Sequence, residues 1–127
     1  MNGMNLKEFQ QTVIDYDEIE FSYRDALYNF QKENSSGEKI KISVWQSGES
    51  PKCCYAVEVE NNSAEFEKVA KNLIEEKILF DGKSIAEAEK DIEVEFFTWN
   101  KISQQKMKNP PQLGGNFFEN YFSVKFL

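Results

Sequence analysis

The chain has 127 residues, 40% hydrophobic and 29% charged, and its 22 acids against 15 bases give a net charge of −7. That length suits one domain with its own core, and eleven Phe, five Tyr and two Trp exclude wholesale disorder. A single arginine, Arg24, argues against nucleic acid and anionic membranes as partners, while the lack of histidine removes the usual base of Ser-His and Cys-His catalysis.

The opening "MNGMNLKEFQ" lacks the basic segment and apolar run of a secretory signal. No window holds the ~18 continuous apolar residues of a membrane-spanning helix, so a cytoplasmic protein is expected. Asn5 and Glu8 have the spacing of a capping box, and Leu6, Phe9 and Val13 share one face with Ile14 beside them. This spacing predicts a helix over residues 6–14. "EIEFSY" then alternates, with Ile19, Phe21 and Tyr23 on one side and Glu18, Glu20 and Ser22 on the other. "LYNFQK" places Tyr28 and Phe30 on the apolar side, and "RDAL" between the two is short enough only for a hairpin.

After the turn "NSSGE", the strand "KIKISVWQ" points Ile40, Ile42 and Val44 inward and Lys39, Lys41, Ser43 and Trp45 outward. "SPKCCYAVEVEN" follows, with Cys53, Tyr55, Val57 and Val59 expected inward and Cys54, Ala56, Glu58 and Glu60 outward. Opposed residues must share a face. Setting Trp45 opposite Cys54 also sets Lys41 against Glu58 and Lys39 against Glu60. The inner pairs are then Val44 with Tyr55, Ile42 with Val57, and Ile40 with Val59. Opposite charges meet outside and branched or aromatic side chains inside, each pair contributing roughly 0.2–1 kcal/mol.

"NNSAEFEKVAKNLIEEKI" carries the clearest helical signal: Asn62 caps, and Phe66, Val69, Ala70, Leu73 and Ile74 form one apolar stripe. The predicted helix spans residues 63–78. "FDG" interrupts the pattern, and "SIAEAEKDI" restarts a short helix with Ser84 and Glu87 as its capping box. "EVEFFTW" returns to strand alternation over residues 93–99. The stretch 100–116, with Pro110, Pro111, Gly114 and Gly115, reads as a loop, and residues 117–127 as a last strand or a partner-binding segment.

The neighbouring cysteines point to opposite faces of a strand, which suits neither a mutual disulfide nor a shared metal. With no other Cys and no His to complete a ligand set, sulfur here reads as packing. "EIEF", "VEVE" and "EVEF" would gather Glu18, Glu20, Glu58, Glu60, Glu93 and Glu95 on one sheet face if their strands were adjacent. Such a face could receive a basic partner or hold Ca²⁺ or Mg²⁺, although outward polar alternation is also what a one-sided antiparallel sheet requires. "DGKS" lacks the second glycine of a phosphate loop and reads as a turn before a cap. Phe97, Trp99, Phe117, Phe118, Tyr121, Phe122 and Phe126 either complete the core or offer an apolar patch to a partner or a second copy.

The order of "EIEFSY", a short turn, "YNF", a lysine-alternating strand, a helix and "FDGKSIAEAEKDIEV" resembles small uncharacterised proteins of low-GC Gram-positive bacteria. The likeness covers residues 6–96 and lies in the glutamate-led strand, the tyrosine-flanked hairpin and the F-D-G-K turn. "RDAL" departs from their Asn-Gly hairpin turn, and the C-terminal part is longer. The resemblance implies an α+β fold and carries no functional residue across.

These readings converge on a single α+β domain over residues 1–127, with its core in residues 5–99. Its expected architecture is an antiparallel meander of four or more strands with helices on one face. The expected role is a non-enzymatic binding module, in concrete form an acidic antagonist of a basic protein, as immunity proteins are toward nuclease toxins. A homo-oligomeric structural or scaffold protein, in its simplest form a homodimer, and a carboxylate-dependent enzyme with a Mg-type site are the alternatives. No catalytic, cofactor or metal residue is assigned; the candidate partner contacts are Trp45, Glu58, Glu60, Glu93, Glu95, Phe97, Trp99 and Tyr121.

Overall fold

Two helices and an antiparallel sheet make up the computed structural model, which describes residues 1–98 and the backbone of Ser123–Lys125. In chain order these are α1 (Leu6–Asp15), β1 (Glu18–Tyr23), β2 (Ala26–Asn34), β3 (Lys39–Gln46), β4 (Lys52–Glu60), α2 (Ser63–Glu75), β5 (Ile92–Thr98) and β6 (Ser123–Lys125). The strand order is β4-β3-β2-β1-β5-β6. The first four strands form the expected meander, and the chain then crosses over through α2 to lay β5 beside β1. No helix of the described residues is long and apolar enough to cross a membrane.

Strands β1, β2, β3 and β5 bury mainly alternate residues, because successive side chains leave opposite faces of the pleat. Ile19, Phe21, Tyr23, Tyr28, Phe30, Ile40, Ile42, Val44, Ile92, Val94 and Phe97 supply the sheet side of one continuous core. Phe9 and Val13 of α1 and Phe66, Val69, Ala70, Leu73 and Ile74 of α2 close it. Both helices are capped as their sequences specify. Asn5 Oδ1 accepts from the Glu8 N–H at 2.8 Å while Glu8 Oε1 accepts from the Asn5 N–H at 2.9 Å. Asn62 Oδ1 accepts from the Glu65 N–H at 2.8 Å.

A buried ion pair sits in this core. Lys32 follows Tyr28 and Phe30 on the inward face of β2, so alternation carries its side chain inside. Its Nζ donates to the Ile14 carbonyl at 2.9 Å, lies 3.9 Å from Asp17 Oδ1 and rests 4.2 Å from the Phe66 ring centroid. The two side chains are 1% and 2% exposed. One ammonium thus ties the end of α1, the start of β1 and the face of α2 to the sheet.

Three expectations need correction. The register between β3 and β4 holds from Lys39 opposite Glu60 to Val44 opposite Tyr55, but a bulge then sets Trp45 opposite Cys53. An extra residue reverses the faces beyond it, so Cys54 packs against the core while Cys53 is exposed, the opposite of the expected arrangement. Next, α2 stops at Glu75 rather than at residue 78. Two glutamates, Glu75 and Glu76, oppose the negative end of the helix dipole, and Ile78 and Leu79 enter the core from extended chain. Lastly, residues 84–88 make a single helical turn and Glu89–Asp91 a 3-10 turn instead of a short α-helix. The Ser84 and Glu87 capping pair is present, but so short a helix gains too few hydrogen bonds to offset its nucleation.

Candidate functional site

The acidic residues do not gather into one patch. β4 lies three strand spacings from β1, about 14 Å, which separates Glu58 and Glu60 from the carboxylates of β1 and β5. Glu58 bonds the Ser35 hydroxyl, and Glu60 lies 3.9 Å from Lys39 Nζ. Glu93 sits opposite Ser22, and Glu95, the extra residue of a bulge in β5, accepts from Ser22 Oγ at 3.1 Å. Trp45 is half-buried beside Cys53. Phe97 faces inward opposite Ile19, with its ring 4.5 Å from that of Tyr16, edge to face. It therefore belongs to the core and leaves the set of partner contacts. Trp99 and Tyr121 lie outside the described residues. Among the described residues no group of three or more acidic or thiol side chains is placed to hold a metal ion.

A different set of residues converges at one end of the sheet. The β1–β2 hairpin closes on Tyr23 opposite Ala26, leaving a two-residue turn of Arg24 and Asp25. Arg24 adopts a left-handed backbone, φ 56°, the only described residue other than glycine to do so. A positive φ followed by a negative one matches a type II′ turn, whose first position favours glycine. Arginine there carries a Cβ clash, and its side chain is held instead by contacts. The guanidinium lies 5.3 Å from the Tyr23 ring centroid and 3.7 Å from Asp91 Oδ2.

The loop after α2 packs against the same hairpin. Gly82, with φ 82°, closes a turn in which its N–H donates to the Leu79 carbonyl at 2.8 Å. Two buried tyrosines fasten the loop from below. The Tyr23 hydroxyl donates to Asp81 Oδ2 at 2.7 Å, and the Tyr28 hydroxyl accepts from the Phe80 N–H at 2.8 Å. Phe80 is consequently held at the surface, 51% exposed, the one large hydrophobic side chain so exposed among the described residues. Its ring lies 5.5 Å from that of Tyr23.

On the far side, the β3–β4 loop is pinned to β2: the Ser47 N–H donates to the Leu27 carbonyl at 2.8 Å, and Asn29 Nδ2 donates to Ser47 Oγ at 2.6 Å. Arg24, Asp25, Ala26, Leu27, Gln46, Ser47, Gly48 and Phe80 together line an open groove of about 680 Å³. An aromatic ring, two aliphatic side chains, one cation and one carboxylate, that of Asp25, surround it.

The titratable groups beneath the groove are displaced away from neutrality. The hydrogen bond to Asp81, and then burial, push Tyr23 above the usual phenol range, while the same bond holds Asp81 below the usual carboxylate range. Burial pushes Tyr28 up. Cys54, close to Tyr28, is likewise pushed up by burial, which keeps it a thiol rather than the nucleophilic thiolate. This is chemistry suited to holding a surface in shape.

Sequence reasoning passed over Arg24 and Phe80. A signal was present for each: the one arginine stood in a hairpin turn that prefers glycine, and Phe80 directly preceded an Asp-Gly turn, where an apolar side chain has little core to enter. No family model, curated protein or solved structure matches the chain.

Proposed function

We propose that the chain is a binding protein rather than an enzyme and that it meets a protein partner through the Phe80 and Arg24 end of its sheet. Phe80 carries the reading. An exposed aromatic on a loop whose backbone is fastened by two buried tyrosines, its ring beside that of Tyr23, loses less conformational freedom when a partner covers it, the property of an interface anchor. Arg24 supplies the neighbouring side-chain type that interfaces also favour. The groove between them gives an incoming apolar side chain a place to lodge.

Charge favours a basic partner. Four of the fifteen bases, Lys101, Lys106, Lys108 and Lys125, fall beyond residue 98, along with just one acid, Glu119. Residues 1–98 are thus more acidic than the whole chain, and acidic surfaces steer basic proteins toward them. An antagonist of a basic protein, of the immunity type, is the concrete form of this reading.

The test is affinity capture from the source cell with the intact chain and with Phe80→Ser, matched for thermal stability. A stoichiometric partner retained by the parent, released by added salt and lost from Phe80→Ser is the expected result. Recovery of no stoichiometric partner, or equal recovery by both proteins, overturns the proposal.

A further inference from the structure

The second unassigned surface is the outer edge of β4. This strand runs nine residues, Lys52–Glu60, and pairs on one side with β3. Among the described residues no strand pairs with its other side, so a row of backbone donors and acceptors faces outward there. Its inward row is incomplete as well. Tyr55, Val57 and Val59 are only partly buried, whereas Ile40, Ile42 and Val44 directly opposite them on β3 are fully buried. Charge guards the two ends of the edge, at Lys52 and at Glu58 and Glu60, but residues 54–57 carry none.

We propose that β4 pairs antiparallel with β4 of a second copy of this chain, with Val57 on the two-fold axis, joining two sheets into one. The pattern of β4 selects both the occupant and the register. Any axis passing between residues would set inward side chains against outward ones. An axis through Glu58 would oppose two carboxylates directly, and one through Val59 would oppose Glu58 to Glu60 twice over, both unfavourable. An axis through Ala56 or Tyr55 carries the pairing onto and past the bulge at Cys54, where the faces reverse.

The axis through Val57 avoids all of these over residues 55–59, short of the bulge. It places Tyr55 against the partner's Val59, Val57 against its own copy, and Ala56 against the partner's Glu58. The partly buried inward row then closes on itself through aromatic and branched pairs, and the outward Glu58 of each copy meets an alanine. Neither Phe80 nor Arg24 takes part, so this surface stands independently of the partner site above.

Light scattering coupled to size exclusion on the full chain at rising concentration is the first measurement. The mass should move from one chain to two, and Val57→Lys should hold it at one with an unchanged far-UV spectrum. Register is tested in a Cys53→Ser/Cys54→Ser background. Under mild oxidation Val57→Cys should form a disulfide-linked dimer. Glu60→Cys should not, because its two copies lie about 20 Å apart along the paired strands. A strict monomer at every concentration overturns the proposal, as does equal cross-linking of both variants or a dimer that survives Val57→Lys. A monomer that instead takes up a strand from a different protein at β4 overturns it too.

Discussion

Lys32 shows how a single residue can obey its local pattern and still be chemically costly. Alternation sends it inward, and the cost of burying an ammonium is offset by Asp17, the Ile14 carbonyl and the Phe66 ring. Lys32→Met would leave the Asp17 carboxylate buried without that cation and should lower stability by about 3–5 kcal/mol. Asp17→Asn combined with Lys32→Met should recover much of the loss, and urea denaturation of the three variants measures both effects. Arg24 presents the opposite case, a residue whose backbone is strained while its side chain is exposed. Replacing it with glycine removes a left-handed penalty of about 1 kcal/mol, at the loss of an exposed ion pair of roughly similar or smaller worth. Arg24→Gly should therefore keep its stability within about 0.5 kcal/mol of the parent while losing partner capture. A large loss of stability in that variant would mark Arg24 as structural.

At the scale of elements, the segment over residues 84–91 is the most informative. Its sequence carries a helix signal, yet it is bound in place by tertiary contacts. The Ala86 N–H donates to the Ile74 carbonyl at the end of α2, and Glu89 accepts from the Leu6 N–H in the first turn of α1. Glu87 takes hydrogen bonds from Lys77 Nζ at 2.6 Å and from the Ser84 N–H at 3.0 Å, and these lower its pKa from 4.5 to about 2. A carboxylate whose folded pKa is depressed stabilises the fold above its unfolded value, and loses that contribution as pH falls toward the folded one. Between pH 4.5 and about 2, the parent should lose more stability than Glu87→Gln. Thermal melts of the two proteins through that window provide the check, and parallel curves would count against the assignment.

Across the whole molecule, one apolar cluster joins both helices and the sheet strands β1, β2, β3 and β5. A core without a seam should come apart at once. Urea unfolding followed by far-UV circular dichroism, and by near-UV signal from the buried tyrosines, should give coincident transitions. Leu73→Ala, at the centre of the α2 stripe, should cost about 2–5 kcal/mol by leaving a cavity there. Separate transitions for the two probes would mean that α1 and α2 are held by different units.

The sequence by itself determined what repeats locally: which residues of β1, β2 and β3 face inward, both helix caps, the apolar stripe of α2, and the pairing of β3 with β4 as far as Val44 and Tyr55. Those follow from the spacing of side chains along a pleat or a helix, which covalent geometry imposes. Only the tertiary structure decided that β5 lies beside β1, itself three strands from β4, which separates Glu58 and Glu60 from the other carboxylates. It alone reversed the faces of Cys53 and Cys54 through one bulge, enclosed Lys32 with Asp17, and left Phe80 outside. Each of these depends on which distant surfaces meet. Periodicity has no term for that, because it is blind to every neighbour that the chain reaches only by folding back.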